Sequence, residues 1–354
     1  MGRKAQVRQP RRTGHAVGGG RAQEWRVQVA IFAFSAAVSL GASVLLVSRL
    51  ERVGERLGVS EALLGLLAAL AADGPEITSS VTAIAGGHPT VGIGVTLGSN
   101  VFNLAALLGL SAVIAGSIRF RRAAVLLEGA VGLWLALLSL GVVAGLVAPA
   151  VGLIAALLVF VPYVAYSAEH PATRERLRLP GRWSAWLARA FAEEEAELFV
   201  TIRPQRGDGR DAGVALIAVL VVIAASVAME EAATTFGSAA GLSPLVVGGL
   251  VLAGVTSLPN AVAAIYLTRR GRGTATLSEA FNSNALNVVI GLLLPGTLLG
   301  LVAPSGDATF VAESFLALTA GAIALALRGR GLDRRAGLII IVCYLVFAGV
   351  VATR

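Results

Sequence analysis

The chain has 354 residues, 56% of them hydrophobic and 14% charged, with a mean hydropathy of +0.79. A soluble domain carries about 25% charged residues, so this composition excludes a soluble protein with a polar surface and excludes bulk disorder. The single cysteine, Cys343, excludes a disulfide scaffold, and a polytopic membrane protein remains.

The formal net charge is +8. The basic residues lie between apolar runs, which points to membrane topology rather than to nucleic acid. Lys4 is the only lysine. With the Ala- and Gly-rich text, this suggests a GC-rich genome and a bacterial cytoplasmic membrane as the location.

In chain order, a basic tail at 1–25 precedes the first apolar run. A spanning helix needs about 20 mostly apolar residues. Ten such runs lie at roughly 26–48, 59–86, 90–116, 123–146, 150–167, 212–236, 243–267, 275–302, 308–328 and 336–353. Runs this long predict helices rather than alternating strands. The first run is too long for a cleavable signal peptide. Ten spans put alternate loops on alternate sides. The loops near 49–58, 117–122, 168–211, 268–274 and 329–335, with their adjoining helix ends, hold 21 of the 29 Lys and Arg residues. The positive-inside rule places them in the cytoplasm and both termini outside. The tail, with Arg3, Lys4, Arg8, Arg11 and Arg12, argues the other way. Either it is translocated despite its charge, or the start lies downstream, or a span is miscounted. The central loop, 168–211, carries Trp183, Trp186, Leu187, Ala190 and Phe191 on one helical face, predicting an amphipathic helix at the interface. The acids Glu193, Glu194, Glu195 and Glu197 that follow read as a solvated helix end.

The two halves repeat. Asp73-Gly74-Pro75-Glu76 matches Ser257-Leu258-Pro259-Asn260, and Gly98-Ser99-Asn100-Val101-Phe102-Asn103 matches Asn282-Ser283-Asn284-Ala285-Leu286-Asn287, both at an offset of 184 residues. Polar positions that match inside apolar spans argue against chance. Five spans per copy is an odd number, so the copies enter the membrane in opposite directions. The predicted fold is an all-α polytopic membrane protein, ten transmembrane helices as two inverted five-helix repeats, 26–167 and 212–353, joined by the loop 168–211. Many secondary transporters share this architecture.

Pro75 and Pro259 fall in mid-span and predict helix breaks, since proline removes a backbone donor and clashes with the preceding turn. The carbonyls so freed are candidate cation ligands. Asp73, Glu76 and Ser80 share a helical face, as do Thr256 with Asn260, Ser99 with Asn103, and Ser283 with Asn287. Four helices thus project oxygens, and a hard cation such as Ca²⁺ takes about 6–8 of them. An intramembrane carboxylate costs roughly 2.5–3.5 kcal/mol on insertion scales, and no Arg or Lys lies within the second or third span to pair with it. Glu76 and Asp73 are therefore the leading functional residues. Glu230 and Glu231 either line an ion path or mark a wet helix end. Glu128 and Glu313 read as interfacial and His88 as exposed. One Cys and three His give no transition-metal constellation, and no cofactor is expected.

Gly74-Pro75-Glu76, Thr256-Ser257-Leu258-Pro259 and Gly98-Ser99-Asn100-Val101-Phe102-Asn103 resemble the α-repeats of the cation/Ca²⁺ exchanger superfamily, which includes the sodium/calcium exchangers. The resemblance implies ten helices, a central cytoplasmic loop, outside termini and alternating access, with Ca²⁺ moved against Na⁺, H⁺ or K⁺. It implies ion ligands at Glu76, Ser99, Asn103, Thr256, Ser257, Asn260, Ser283 and Asn287. Two departures stand out. The family's second acid is Asn260 here, and its Thr-Ser in the first repeat is Ala72-Asp73 here, so that Asp73 is expected to restore the lost charge. Glu279 replaces a family Asn, opposite Val95, and is an accessory candidate with Ser80.

The expected function is secondary antiport of Ca²⁺ against Na⁺ or H⁺. The alternatives are a Na⁺/H⁺ exchanger and a non-transporting membrane sensor or scaffold. No nucleotide-binding loop of the G-x-x-x-x-G-K-[ST] type is present, which argues against a primary pump, and no enzyme activity is expected. The expected partners are inorganic cations and the lipid bilayer, with no nucleic acid; composition says nothing of oligomeric state.

Overall fold

The computed structural model describes residues 17–57, 69–168, 208–301, 304–329 and 331–354. The amphipathic segment expected at 183–191, the acids after it and most of the basic tail lie outside the described residues. The described chain is almost wholly helical. Its helices are α1 (Val17–Leu57), α2 (Gly74–Ala85), α3 (Pro89–Ala115), α4 (Arg122–Val143), α5 (Pro149–Ala168), α6 (Gly209–Ala239), α7 (Pro244–Thr256), α8 (Leu258–Arg269), α9 (Gly273–Leu299), α10 (Gly306–Gly329) and α11 (Arg334–Ala352).

Eight of the described helices are long and apolar enough to cross a membrane, and α7 with α8 forms a ninth candidate span bent by 44°. The span expected at 59–86 is described only from residue 69. Residues 69–72 are helical, the chain bends at Asp73, and α2 follows.

The helix starts are written locally. Prolines occupy the first turn of α2, α3, α5, α7 and α8, where the missing N–H would have had no helical partner. Asp208 caps α6, accepting from the N–H groups of Arg210 and Asp211, while the Asp211 carboxylate accepts from the Asp208 N–H. Asp333 caps α11 by accepting from the Ala336 N–H at 2.8 Å.

Contacts between loops sort them as the arginines do. Arg49, in the last turns of α1, donates to Asp211 at 2.6 Å. The short strands β1 (Ser117–Arg119) and β2 (Gly331–Asp333) pair antiparallel. Gly273 lies against the Arg119 carbonyl so closely that a Cβ there would fall 2.2 Å from its oxygen. At the opposite ends of these helices, Gly145 packs on Pro304 and Arg354 donates to Asp307 at 3.0 Å.

α3 and α9 form the buried centre, and each widens into a π-helical turn, at Leu104–Leu110 and Asn287–Leu293; α7 carries a third, at Val247–Leu252. Apolar side chains face outward on the periphery: Phe34 of α1, Leu158 of α5, Leu298 at the end of α9 and Leu146 in the turn between α4 and α5 are all more than 70% exposed, as expected of a surface that meets lipid tails.

α3 meets α7 backbone to backbone. A Cβ at Gly98 would lie 2.5 Å from the Gly249 carbonyl oxygen, and one at Gly94 would lie 2.9 Å from the Gly249 nitrogen. Small residues on a helical stripe permit such approach in membranes. Gly98→Val is expected to destabilise the folded protein by at least the ~1–3 kcal/mol of ordinary overpacking, because the obstacle is backbone. Gly41→Val, with nothing within 4 Å of the new Cβ, is the control. Thermal melting followed by size-exclusion in detergent reads both.

Candidate cation-binding site

Where α2 and α8 begin, two helix breaks face each other. Asp73 and Glu76 are fully buried. Each is held by side chains from the other half of the chain. Asp73 Oδ1 accepts from Asn260 Nδ2 at 2.6 Å and from Ser283 Oγ at 2.6 Å. Glu76 Oε1 accepts from Ser257 Oγ, and Oε2 accepts from Asn287 Nδ2 at 2.6 Å.

The pattern is reciprocal. Position 73 meets position 260, and position 76 meets position 257, which are each other's counterparts at the 184-residue offset. Below them Asn100 Nδ2 donates to the Asn284 carbonyl and Asn284 Nδ2 donates to the Asn100 carbonyl, both at 3.2 Å. Asn103 donates to Asn284 Oδ1 at 3.2 Å, and its counterpart Asn287 donates to Asn100 Oδ1 at 3.1 Å. Such mirrored bonds relate the two halves by a local pseudo-two-fold axis through the asparagines.

Asn103 also donates to Ser283 Oγ, and Asn260 does the same, each at 3.1 Å. After these bonds, several buried acceptors have no hydrogen-bond partner: Asp73 Oδ2, Ser99 Oγ, Asn103 Oδ1, Asn260 Oδ1 and Asn287 Oδ1. Buried polar atoms are normally satisfied. Four of these oxygens belong to the bonded cluster of Asp73, Asn103, Asn260 and Asn287, and Ser99 stands one turn before Asn103 on α3; with Glu76 they form a donor set of the kind that a hard cation takes. Turning a side-chain amide over exchanges its donor for its acceptor, so the amides that now donate to the carboxylates can present oxygens instead. The amides stand beside the π turns, since Asn103 precedes one and Asn287 opens another. π turns inside α-helices often mark functional positions.

Not every expected residue joins this cluster. Thr256 is buried, but its hydroxyl donates to the Leu252 carbonyl at 2.9 Å, within its own helix. Ser80 lies a turn beyond Glu76 and is used for packing: its hydroxyl bonds Thr96 Oγ1 at 2.7 Å and the carbonyls of Gly92 and Gly291 at 2.8 and 2.9 Å. Glu279 is half-buried on α9, one turn before Ser283. No group of three His, Cys, Asp or Glu converges among the described residues.

The chain breaks close to both expected prolines: the bends fall at Asp73 and Ser257, two residues earlier, and Pro75 and Pro259 sit in the first turn of the helices that follow, where they are tolerated. Two expectations need correction. The carbonyl of Ala71, which Pro75 deprives of its N–H partner, is not left to a cation, because Ser43 Oγ of α1 donates to it at 2.7 Å. Glu128 is not interfacial: it is 2% exposed and accepts from Ser278 Oγ at 2.6 Å. Periodicity missed it because α4 is apolar on every side and shows no wet face. Tyr163, which donates to Asn282 Oδ1 at 3.0 Å, was missed for the same reason. His88 is exposed, as expected, and Glu313, expected at the interface, is exposed too.

The sequence matches the family described as sodium/calcium exchanger protein over residues 27–168 and 211–353. The sodium/potassium/calcium exchanger 4 proteins of Mus musculus and Homo sapiens are 28% identical to it over 141 residues, which is 37% of this chain and 23% of theirs. The match thus spans about a quarter of those relatives. Among solved structures, the H⁺/Ca²⁺ exchanger CAX shares the fold with a TM-score of 0.67 at 15% identity, covering 92% of this chain and 85% of that one. Native YfkE gives 0.63 at 15% identity, with 94% and 98% covered. The sodium-calcium exchanger NCX_Mj gives 0.58 at 18% identity, with 92% and 99% covered. At these identities the structures speak for the fold alone, and the family match spans both halves. The chain is a multi-pass membrane protein that belongs to the sodium/calcium exchanger protein family.

Proposed function

We propose that the chain is a cation antiporter that exchanges Ca²⁺ for Na⁺ or H⁺ by alternating access. Its ten spanning helices form two inverted five-helix repeats, 26–167 and 212–353. The loop 168–211 joins them, the arginine-rich loops face the cytoplasm, and both termini lie outside. The ions are bound by Glu76, Asp73, Ser99, Asn103, Ser257, Asn260, Ser283 and Asn287, while Thr256, turned to its own helix, stands outside this set. The observation that carries this reading is the pair of fully buried carboxylates, each bonded to the opposite half and ringed by unpartnered oxygens. Relatives named as Na⁺/K⁺/Ca²⁺ and H⁺/Ca²⁺ exchangers support it.

Two negative charges in a dry site need two positive charges, because an uncompensated buried charge costs several kcal/mol. One Ca²⁺, two Na⁺ or two H⁺ meet that need equally. Loading both sets at once would leave an excess of two positive charges in the same site. Exchange, rather than co-transport, follows from that balance.

The positions of the acids support the idea that Asp73 stands in for the acid missing at 260. Positions 73 and 260 face each other across the axis, so moving the carboxylate from one to the other keeps it in the same pair. Glu76 and Ser257 form the other pair.

Flux in proteoliposomes tests the reading. With an outward Na⁺ or H⁺ gradient imposed, ⁴⁵Ca²⁺ uptake is expected for the wild type, and Glu76→Gln is expected to lower it by at least about 100-fold, a loss of roughly 2.7 kcal/mol of binding or barrier. Uptake of neither Ca²⁺ nor Na⁺ by a monodisperse wild type would refute the antiport reading; Na⁺ uptake against H⁺ alone would replace it with Na⁺/H⁺ exchange.

Asp73→Asn is expected to reduce flux about as strongly, while the double swap Asp73→Asn with Asn260→Asp restores it to within about tenfold of wild type. Unchanged flux in Asp73→Asn, or no recovery in the swap with Ca²⁺ binding intact, would refute the compensation.

A further inference from the structure

The two long helices that open the halves, α1 and α6, run antiparallel in a register fixed by three contacts. Arg49 meets Asp211 at 2.6 Å at the arginine-rich end. Ser39 and Ser226 share a hydrogen bond of 2.8 Å in the middle. Phe32 and Phe236 pack edge to face, with centroids 5.4 Å apart, near the other end.

One turn beyond the serine bond, at the same level on the two helices, come Ser35 and Glu230. Ser35 is 6% exposed and Glu230 only 3%. The adjacent Glu231 is exposed. Glu230 Oε1 has no hydrogen-bond partner. Its carboxylate thus lies in the bundle between a serine pair on one side and an aromatic pair on the other.

Among the described residues no salt bridge reaches Glu230, and the helices around it supply no countercharge. The helices that pack on α6 here are α1, α2 and α7. α1 has no basic residue between Arg26 and Arg49, α6 has none after Arg210, and α2 and α7 have none at all. A buried charge without a partner is strongly unfavourable.

The same face of α1 leads toward the centre. Ser35, Ser39 and Ser43 are spaced by one turn and all buried, and Ser43 bonds the Ala71 carbonyl just before the break at Asp73. α6 reaches the same break, since Gly74 packs on Val222.

We propose that Glu230, with the hydroxyls of Ser35, Ser39 and Ser226, is a second cation site. It holds one hard monovalent cation on the path between the central carboxylates and the side opposite the arginine-rich loops. One carboxylate with neutral hydroxyls carries a single negative charge, which suits a monovalent ion. Ca²⁺ takes about 6–8 oxygens and several carboxylates, which this site lacks. The path it serves rests on the antiport reading; the binding does not.

Equilibrium binding of ²²Na⁺ and ⁴⁵Ca²⁺ to the purified full chain in detergent tests the site. Glu230→Gln is expected to lose one Na⁺ equivalent, or about tenfold in Na⁺ affinity, with Ca²⁺ affinity within about twofold of wild type. Glu230→Asp, which keeps the charge, is expected to retain Na⁺ binding. In proteoliposomes, Glu230→Gln should raise the Na⁺ concentration for half-maximal exchange and leave that for Ca²⁺ in place. No Na⁺ binding by the wild type, an unchanged Na⁺ curve in Glu230→Gln, or Na⁺ binding, Ca²⁺ binding and melting temperature falling together would overturn the proposal. A wild type that binds Na⁺ through Glu230 but exchanges no Ca²⁺ would refute the antiport reading and leave this site standing.

Discussion

Two carboxylates in a membrane interior with no basic residue beside them set the terms for the rest of the molecule. Asp73 and Glu76 are fully buried, and among the described residues no salt bridge reaches either of them. Their oxygens are met by Asn260, Ser283, Ser257 and Asn287. All four come from the other half of the chain, so the halves are joined at the point where burial of charge is most expensive. A charge-assisted hydrogen bond is roughly twice as strong as a neutral one, which makes this seam a strong join and also one that a bound cation would compete for directly.

The surrounding packing serves that seam. Glycines at 94, 98, 248 and 249 let α3 and α7 touch along their backbones, which brings the carriers of the polar residues together. The reciprocal bonds of Asn100 and Asn284 fix the register of α3 against α9. Ser80, with three partners, clamps α2 to α3 and α9. Ser43 takes up the carbonyl that Pro75 leaves over, so the break costs no buried unsatisfied carbonyl at that point. The break is then supported by α1, the helix that also carries the serine face toward Glu230.

Apolar run length made the helices readable, and the 184-residue offset made the polar seam readable, because a polar residue inside an apolar run is rare enough to be informative. The details were decided by neighbours that local text does not name. Thr256 and Ser257 are adjacent, yet one hydroxyl turns to its own helix and the other to Glu76. Ser80 and Glu76 share a face by spacing, yet the turn between them separates packing from the carboxylate cluster. Glu128 looked terminal in sequence and is buried against α9, because the partner that covers it lies 150 residues away. Glu230 and Glu231 were indistinguishable in sequence; a rotation of about 100° along one helix sends one into the bundle and the other out.

By itself, the sequence determined that this chain lives in a membrane, that its spans are helical, that its halves carry matching polar motifs 184 residues apart and that Asp73 and Glu76 are the acids to explain. Those conclusions depend on transfer free energy and on periodicity, which are properties of the chain's own residues. The tertiary structure alone decided which donor meets which oxygen, which carbonyls are free and which of two neighbouring glutamates is buried. Those outcomes depend on distances between residues on different helices, up to 211 positions apart for Glu76 and Asn287. A hydrogen bond gained or lost over a few tenths of an ångström follows from how whole helices pack, and no local pattern encodes it.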